Sequence, residues 1–238
     1  MSPPFSGEQF FDVFIAYNTS VWPIQIGLVL LAVAVVAATF SSTRWHQRLV
    51  PFALGALWLW MGVVYHWGYF VAINPVARLF GALFVVEGGL LVWAGANRSA
   101  PEFRPRADWT GLTGSALVFY ALVAYPLIGA AVGHRYPAQP TFGLPCPTTI
   151  FTIGVLLWAK GRVPSALVVV PAFWAVVGIA AVRFCAARLS ADWNGTRNGF
   201  GRTLPHRSGQ AGERRRDIAA TAPPIRVERA WLDDALRR

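Results

Sequence analysis

The fold class follows from VWPIQIGLVLLAVAVVAATF, residues 21–40, a stretch of 20 residues without a charged side chain. A helix needs about 20 mainly apolar residues, each rising about 1.5 Å, to cross a hydrocarbon core of about 30 Å. The apolar residues are continuous and do not alternate, and only helices and closed barrels satisfy their backbone hydrogen bonds in lipid. The stretch therefore predicts a membrane-spanning α-helix.

Five further stretches have the same character. Residues 50–70 contain no charged side chain other than that of His66, and residues 79–96 contain none other than that of Glu87. Together with residues 21–40 they predict an all-α membrane protein, a bundle of about six transmembrane helices. The other three predicted spans are residues 109–132, 142–159 and 163–182.

The distribution of charge divides the chain into a membrane domain and a tail. Charged residues make up 13% of the chain, against about 25% in soluble domains. Residues 187–238 hold eleven of the 21 basic residues and six of the 11 acidic ones. We therefore predict a transmembrane domain over residues 21–186. Residues 187–238 contain few large apolar side chains, which predicts a basic and largely disordered tail.

Residues 1–20 are predicted to form an N-terminal interfacial segment. Aromatic and acidic side chains alternate there at a spacing that suits a short helix lying along the membrane surface. An extra turn of the first span is the alternative. The segment has no Lys or Arg, so we expect no cleavable signal peptide. The pattern is formed by Glu8, Phe10, Phe11, Asp12, Phe14 and Ile15.

Lys and Arg in short loops predict orientation, because they favour the cytoplasmic side. The loops after the first, third and fifth spans carry seven of them, whereas the N-terminus and the other two loops carry only Arg78 and Arg135. This bias places the N-terminus outside. Six spans would also place the tail outside, although it opens with Arg183 and Arg188. A re-entrant segment at 142–159 would give five spans and a cytoplasmic tail.

Polar side chains in the predicted spans are candidates for function, since a central charge costs about 2.5 kcal/mol or more in a bilayer. The order of the spans places them together in the outer half of the bundle, whereas the inner half is nearly all Leu, Val, Ala and Gly. This asymmetry predicts a polar cavity that opens outward. The candidate binding residues are Tyr17, Asn18, His66, Asn74, Glu87, Tyr125, Cys146, Thr148 and Thr149.

Several of these side chains have a purely structural alternative. His66 is close enough to an interface to extend its ring to water. Glu87 can hydrogen-bond a neighbouring helix in its protonated form. Thr148 and Thr149 can bond backbone carbonyls that the preceding prolines leave free. Cys146 alone resembles a small buried apolar residue.

A soft metal ion is a further hypothesis for the outer half. The Cys146 thiol is flanked by Pro145 and Pro147, and His66 and Glu87 are predicted at similar depth. Helices broken by proline mark binding sites in transporters. The sequence has no CxxC pair, HExxH, glycine-rich phosphate loop or GxSxG elbow. We therefore assign no catalytic residue, and no cofactor beyond this metal is indicated.

Three strings resemble a bacterial family of small multi-helix membrane proteins of unknown function, some members of which are described as MFS transporter permeases. They are YNTSVWPIQ (17–25), WLWMGVVYHWGYFVAINPVA (58–77) and FGLPCPTTIFTIGVLL (142–157). The resemblance covers about residues 5–186 and implies a bacterial cytoplasmic membrane, but no activity. The matching positions are Tyr17, Asn18, Trp22, Pro23, Tyr65, His66, Asn74, Cys146, Pro147 and Thr148.

Three classes of function remain open. A small transporter or channel explains the broken spans and the one-sided polar cluster, and homo-oligomerisation is expected if six helices enclose no pathway. An intramembrane or metal-binding enzyme would use His66, Glu87 and Cys146. The third class is a non-catalytic membrane assembly partner. The expected partners are the bilayer and, for the basic tail, anionic lipid headgroups. Nucleic acid is not expected.

Overall fold

The computed structural model describes residues 7–97 and 101–179, and these residues are almost entirely helical with no extended strand. The prediction of an all-helical chain is therefore confirmed for this part. The tail from residue 187, the start of the N-terminal segment and the end of the sixth predicted span lie outside the described residues. The described helices are α1 (Gly7–Ser20), α2 (Ile24–Thr39), α3 (Arg44–Ala72), α4 (Ala77–Ala96), α5 (Trp109–Ala131), α6 (Pro145–Leu156) and α7 (Ala166–Ile179).

Three helices, α3, α4 and α5, are long and apolar enough to cross a membrane. They contain most of the predicted spans 50–70, 79–96 and 109–132. A fourth candidate arises if α1 and α2 count as one broken span, because these two helices meet at an angle of 88°. The described residues thus give three or four candidate spans, and the count of six is not confirmed.

A sharp bend separates the N-terminal helix from the next one. Ser20 ends α1, and α2 begins at Ile24 after a short turn that contains Pro23. The two helices meet at 88°, the geometry of a broken span or of a re-entrant loop. The interfacial placement of residues 1–20 stays a prediction.

The fifth predicted span is shorter than expected. α6 has 12 residues, or about 18 Å at 1.5 Å each, which is less than a hydrocarbon core of about 30 Å. Gly143, two residues before it, is within hydrogen-bonding distance of Tyr17, and Trp158, two residues after it, pairs with Arg104 at the other end of the bundle. α6 therefore passes through the bundle instead of returning to the side it entered.

The predicted cytoplasmic loops meet at one end of the bundle. Gln47 donates hydrogen bonds to the carbonyls of Ala38 and Ser41 and accepts one from the Phe103 N–H. Lys160 pairs with Glu102 through its backbone and, at 3.0 Å, through its side chain. The loops after α2, α4 and α6 therefore share this end, as the parity of the spans requires.

Reporter fusions test the membrane orientation. A reporter at Arg104 and one at Arg135 are expected to report opposite sides, with Arg104 cytoplasmic, because α5 lies between them and is 23 residues long. Paired alkaline phosphatase and fluorescent protein fusions at each position measure this directly. Matching signals at the two positions would show that α5 does not cross the membrane.

Glycines allow the helices to approach closely. A Cβ on Gly55 in α3 would lie 2.9 Å from the Gly88 carbonyl oxygen in α4, and one on Gly62 would lie 2.8 Å from that of Gly81. Both distances are shorter than a real Cβ contact. Helices α5 and α6 also approach closely at glycines. A Cβ on Gly114 would lie 2.7 Å from the Gly154 carbonyl oxygen, and one on Gly154 would lie 2.8 Å from that of Gly114. Close backbone approach of this kind is typical of helix pairs in membranes.

Much of the outer surface is apolar. Large hydrophobic side chains remain exposed along α2, α4 and α5, a pattern that is costly in water and favourable in lipid. The surface therefore agrees with the membrane prediction. On α2 and α5 the exposed side chains include Ile26, Val29, Leu30, Val33, Leu112, Phe119, Leu127 and Ile128.

Two helices depart from regular α-helical geometry. α3 has a π-helical segment over Met61–Trp67, and α5 has one over Tyr120–Ala124. The second segment precedes Pro126, which has no N–H to donate to the carbonyl one turn earlier. π-helical segments widen a helix and occur frequently at functional sites. Both segments carry or adjoin predicted site residues, His66 in α3 and Tyr125 in α5.

Candidate functional site

Asn18 is the centre of a hydrogen-bonded network at the end of the bundle opposite the basic loops. Its Nδ2 donates to the carbonyls of Pro137 and Gln139, at 2.6 and 2.8 Å. Its Oδ1 accepts from Gln25 Nε2 at 2.6 Å and from the Thr141 hydroxyl at 2.7 Å. The partners in all four hydrogen bonds lie outside α1, so Asn18 links α1 to α2 and to the loop after α5.

The same contacts fix the orientation of both amides. Nδ2 of Asn18 must be the nitrogen because it faces two carbonyl oxygens. The Asn18 oxygen then requires a donor, so the Gln25 atom that faces it is Nε2. Gln25 Nε2 also lies 3.1 Å from Thr141 Oγ1. The Gln25 side-chain oxygen is left facing away from Asn18.

A second chain of hydrogen bonds leads from this network toward the centre of the bundle. Trp60 Nε1 donates to the Tyr17 hydroxyl at 2.7 Å, and Tyr17 reaches the Gly143 carbonyl at 3.4 Å. The Gly143 N–H then donates to Thr148 Oγ1 at 3.0 Å. One turn further along α6, the Thr152 hydroxyl donates to the Thr148 carbonyl and accepts from Trp58 Nε1 at 3.0 Å.

A cleft of about 350 Å³ lies between α2, α5 and the loop that joins α5 to α6. Its walls are mostly apolar and aromatic, and its polar groups lie at the Asn18 network. The cleft is not the polar cavity that the sequence predicted, because its walls are apolar and Tyr125 alone of the nine candidate binding residues lines it. The lining residues that matter below are Trp22, Gln25, Val29, Ala121, Tyr136 and Thr141.

Cys146 is an exposed residue in the first turn of α6. Its neighbour Pro147 lines the cleft, as does Tyr125. The described residues form no group of three or more His, Cys, Asp or Glu that could hold a metal ion.

Glu87 is fully buried in α4 and has no hydrogen-bond partner for either carboxylate oxygen among the described residues. It is also the only acidic residue between Asp12 and Glu102. A carboxylate in such a place is costly unless a proton, a cation or water accompanies it. Its arrangement gives no support to the structural alternative of a hydrogen bond to a neighbouring helix.

His66 is enclosed by aromatic rings. The ring centroid of Phe84 lies 4.6 Å from that of His66, the Trp174 centroid lies 5.3 Å away, and Phe70 and Phe80 complete the cage. The side chain is fully buried, and neither ring nitrogen has a hydrogen-bond partner in the described part of the chain. His66 therefore does not extend to water, which was its structural alternative.

The close contacts of α3 with α4 show how far His66 lies from Glu87. Gly55 meets Gly88 and Gly62 meets Gly81, so this antiparallel register places Glu87 at the level of Ala56. His66 is ten residues further along α3, or roughly 15 Å along the axis. The Phe84 ring lies between the two levels, in contact with both His66 and Trp58.

The two remaining predicted residues have different surroundings. Asn74 accepts a hydrogen bond from the Val76 N–H at 3.1 Å, which stabilises the turn between α3 and α4. Thr149 is buried, and its hydroxyl has no partner among the described residues. Asn74 thus has a structural role, and Thr149 is a further unpaired polar group in α6.

The loop between α5 and α6 holds the site residues that sequence reasoning missed. Tyr136 donates to the Asn18 carbonyl at 3.1 Å, and Gln139 and Thr141 also bind Asn18. The loop has neither the periodicity of a helix nor that of a strand, so its sequence predicts only a connection. Its polar residues between prolines, in YPAQPTF (136–142), were the available signal.

These features define a class: an all-helical protein with helices able to cross a membrane and buried polar groups between them. Within that class, the chain belongs to the family of unknown function DUF6064, which matches residues 7–193. The expectation of an uncharacterised family is confirmed. No curated protein and no solved structure matches the chain.

Proposed function

We propose that this protein is a small transport protein of the bacterial cytoplasmic membrane, and that Glu87 carries the proton that crosses it. One observation carries the proposal: a fully buried carboxyl group, without a partner in the described part of the chain, lies inside an apolar helix of 20 residues. Intramembrane carboxyl groups that exchange protons are typical of pumps and transporters. A purely structural role would give the carboxyl group a hydrogen bond.

A series of polar groups runs from one end of the bundle toward the level of Glu87. The chain of hydrogen bonds from Tyr17 through Thr148 to Thr152 ends at Trp58, which is two residues along α3 from that level. This route starts at the end of the bundle that the arginine bias predicts to be outside. Peptide groups and the Trp58 indole N–H do not themselves pass protons on, so a proton would reach Glu87 through water bound along these polar groups.

Replacing Glu87 with Gln tests the proposal. The substitution keeps the shape and removes the exchangeable proton, so we expect the proton flux to fall at least about tenfold, to the level of empty liposomes. The measurement uses protein in liposomes with an internal pH-sensitive dye and a valinomycin-imposed potassium potential.

Glu102→Gln is the matched control, because Glu102 is a half-exposed loop residue paired with Lys160 and Arg104. Its flux should stay at the wild-type level. A Glu87→Gln variant that melts at the wild-type temperature and keeps its flux would contradict the proposal. A wild-type protein that carries no protons at either polarity would contradict it equally.

A further inference from the structure

The cleft between α2 and α5 has a volume of about 350 Å³ that no side chain of the described residues fills. Ile26 and Val29 form its open side on α2, and Ala121 and Leu122 form the wall on α5. Trp22 and Tyr136 stand edge to face at its rim, with ring centroids 6.2 Å apart. Such walls suit an apolar, preferably aromatic, ligand.

The hydrogen-bond donors on the polar wall of the cleft already bind acceptors within the protein. Tyr136 donates to the Asn18 carbonyl, and Thr141 donates to Asn18 Oδ1. Gln25 Nε2 faces both Asn18 and Thr141. Gln25 is only 5% exposed, so the part of its amide that remains for the cleft is the oxygen.

Among the described residues none donates a hydrogen bond to Gln25 Oε1. The Asn18 network holds this amide in one orientation, so the oxygen cannot exchange places with Nε2 without losing two contacts. Gln25 lines the cleft, so this oxygen is an acceptor of fixed direction that a ligand in the cleft can reach. A ligand with a hydroxyl or amine group supplies a donor for it.

We propose that this cleft binds a neutral, mostly apolar small molecule whose hydroxyl group donates a hydrogen bond to Gln25 Oε1, with its ring against Trp22 and Tyr136. The site is separate from Glu87, which lies in α4 and does not line the cleft. The class of ligand follows from two properties of the cleft: its walls are mostly apolar, and the hydrogen-bonding group that remains free on them is an acceptor. The proposal therefore stands whether or not Glu87 carries protons.

A matched pair of probes separates the hydrogen bond from the apolar contact. We expect 4-tert-butylphenol to bind the full-length protein in lipid nanodiscs about five- to tenfold more tightly than its methyl ether, 4-tert-butylanisole. The two molecules share their apolar body, and only the phenol has a donor. Titration calorimetry against empty nanodiscs removes partitioning into lipid from both measurements.

Three variants locate the binding site. Val29→Trp fills the cleft from an exposed position and is expected to abolish binding of both probes. Val33→Trp, one turn along α2, is also exposed but does not line the cleft, and should bind both normally. Gln25→Met removes the acceptor, so the phenol should lose its advantage while the ether still binds.

The outcomes decide the proposal in either direction. Equal binding of phenol and ether to the wild-type protein would overturn the donor requirement. Undiminished binding in Val29→Trp would show that the probes bind elsewhere. Because ether binding reports whether the cleft is intact, a Gln25→Met variant that keeps the ether and still prefers the phenol would exclude Gln25 as the acceptor.

Discussion

Replacing Gly88 with leucine is expected to lower the stability of the bundle by at least about 2 to 3 kcal/mol, because the new side chain has no room between α3 and α4. A Cβ on Gly88 would lie 2.7 Å from Leu59 Cγ and 3.0 Å from the Gly55 carbonyl oxygen. The first contact requires a rotamer change, and the second requires the two helices to separate. Their separation would also open the packing around Glu87.

The neighbouring glycine supplies the control for this prediction. A Cβ on Gly89 would meet nothing within 4 Å, so Gly89→Leu changes composition and helix propensity equally without a clash. Thermal unfolding in detergent, followed by circular dichroism, measures both variants. Similar melting temperatures for Gly88→Leu and Gly89→Leu would show that the close α3–α4 contact does not contribute to stability.

The spacing of the glycines in the sequence marks the faces of α3 and α4 that meet. Gly55 and Gly62 are seven residues apart, as are Gly81 and Gly88, which places each pair on one face of its helix. The apolar runs alone predicted the helices, since length and hydropathy determine whether a segment can span. Which faces meet depends on small residues at regular spacing, a pattern that hydropathy ignores.

Neither the depth of these side chains nor their direction around the helix could be predicted from the sequence closely enough to define a shared site. Counting residues from the span ends placed His66 and Glu87 at similar depth, whereas the α3–α4 register separates them by roughly 15 Å along the helix axis. Rotation about each helix is fixed by packing against its neighbours, and here the Phe84 ring lies between the levels of His66 and Glu87. A shared metal site requires its ligands to match both in depth and in direction around their helices. Spacing in the sequence does not determine the direction, so it is a weak basis for predicting such a site.

The length of α6, the helix in the fifth segment, also could not be predicted from hydropathy. Hydropathy predicted residues 142–159, whereas α6 covers Pro145–Leu156. Pro145 starts the helix where its missing N–H costs nothing. The preceding residues leave the helix because Thr141 and Gly143 contact Asn18 and Tyr17. These tertiary hydrogen bonds join positions more than 100 residues apart, and no local pattern records them.

Asn18 is the residue whose loss should most disturb that loop. Asn18→Ala removes four hydrogen bonds and leaves the Pro137 and Gln139 carbonyls without their donor. A buried polar group left unpaired costs about 1 to 3 kcal/mol. We therefore expect a total loss of about 3 to 5 kcal/mol, with the loop of residues 136–143 affected first because its tie to α1 is lost.

Hydrogen exchange measured by mass spectrometry distinguishes this local effect from general unfolding. In Asn18→Ala the amides of residues 136–143 should exchange faster, while those of α4 stay protected, because α4 packs on α3 through its own glycines. Thr19→Ala is the matched control, since Thr19 is the exposed neighbour of Asn18 on the same helix. If Asn18→Ala exchanges in this loop as slowly as Thr19→Ala, the network does not hold the loop, and the wall assigned to the ligand cleft loses its support.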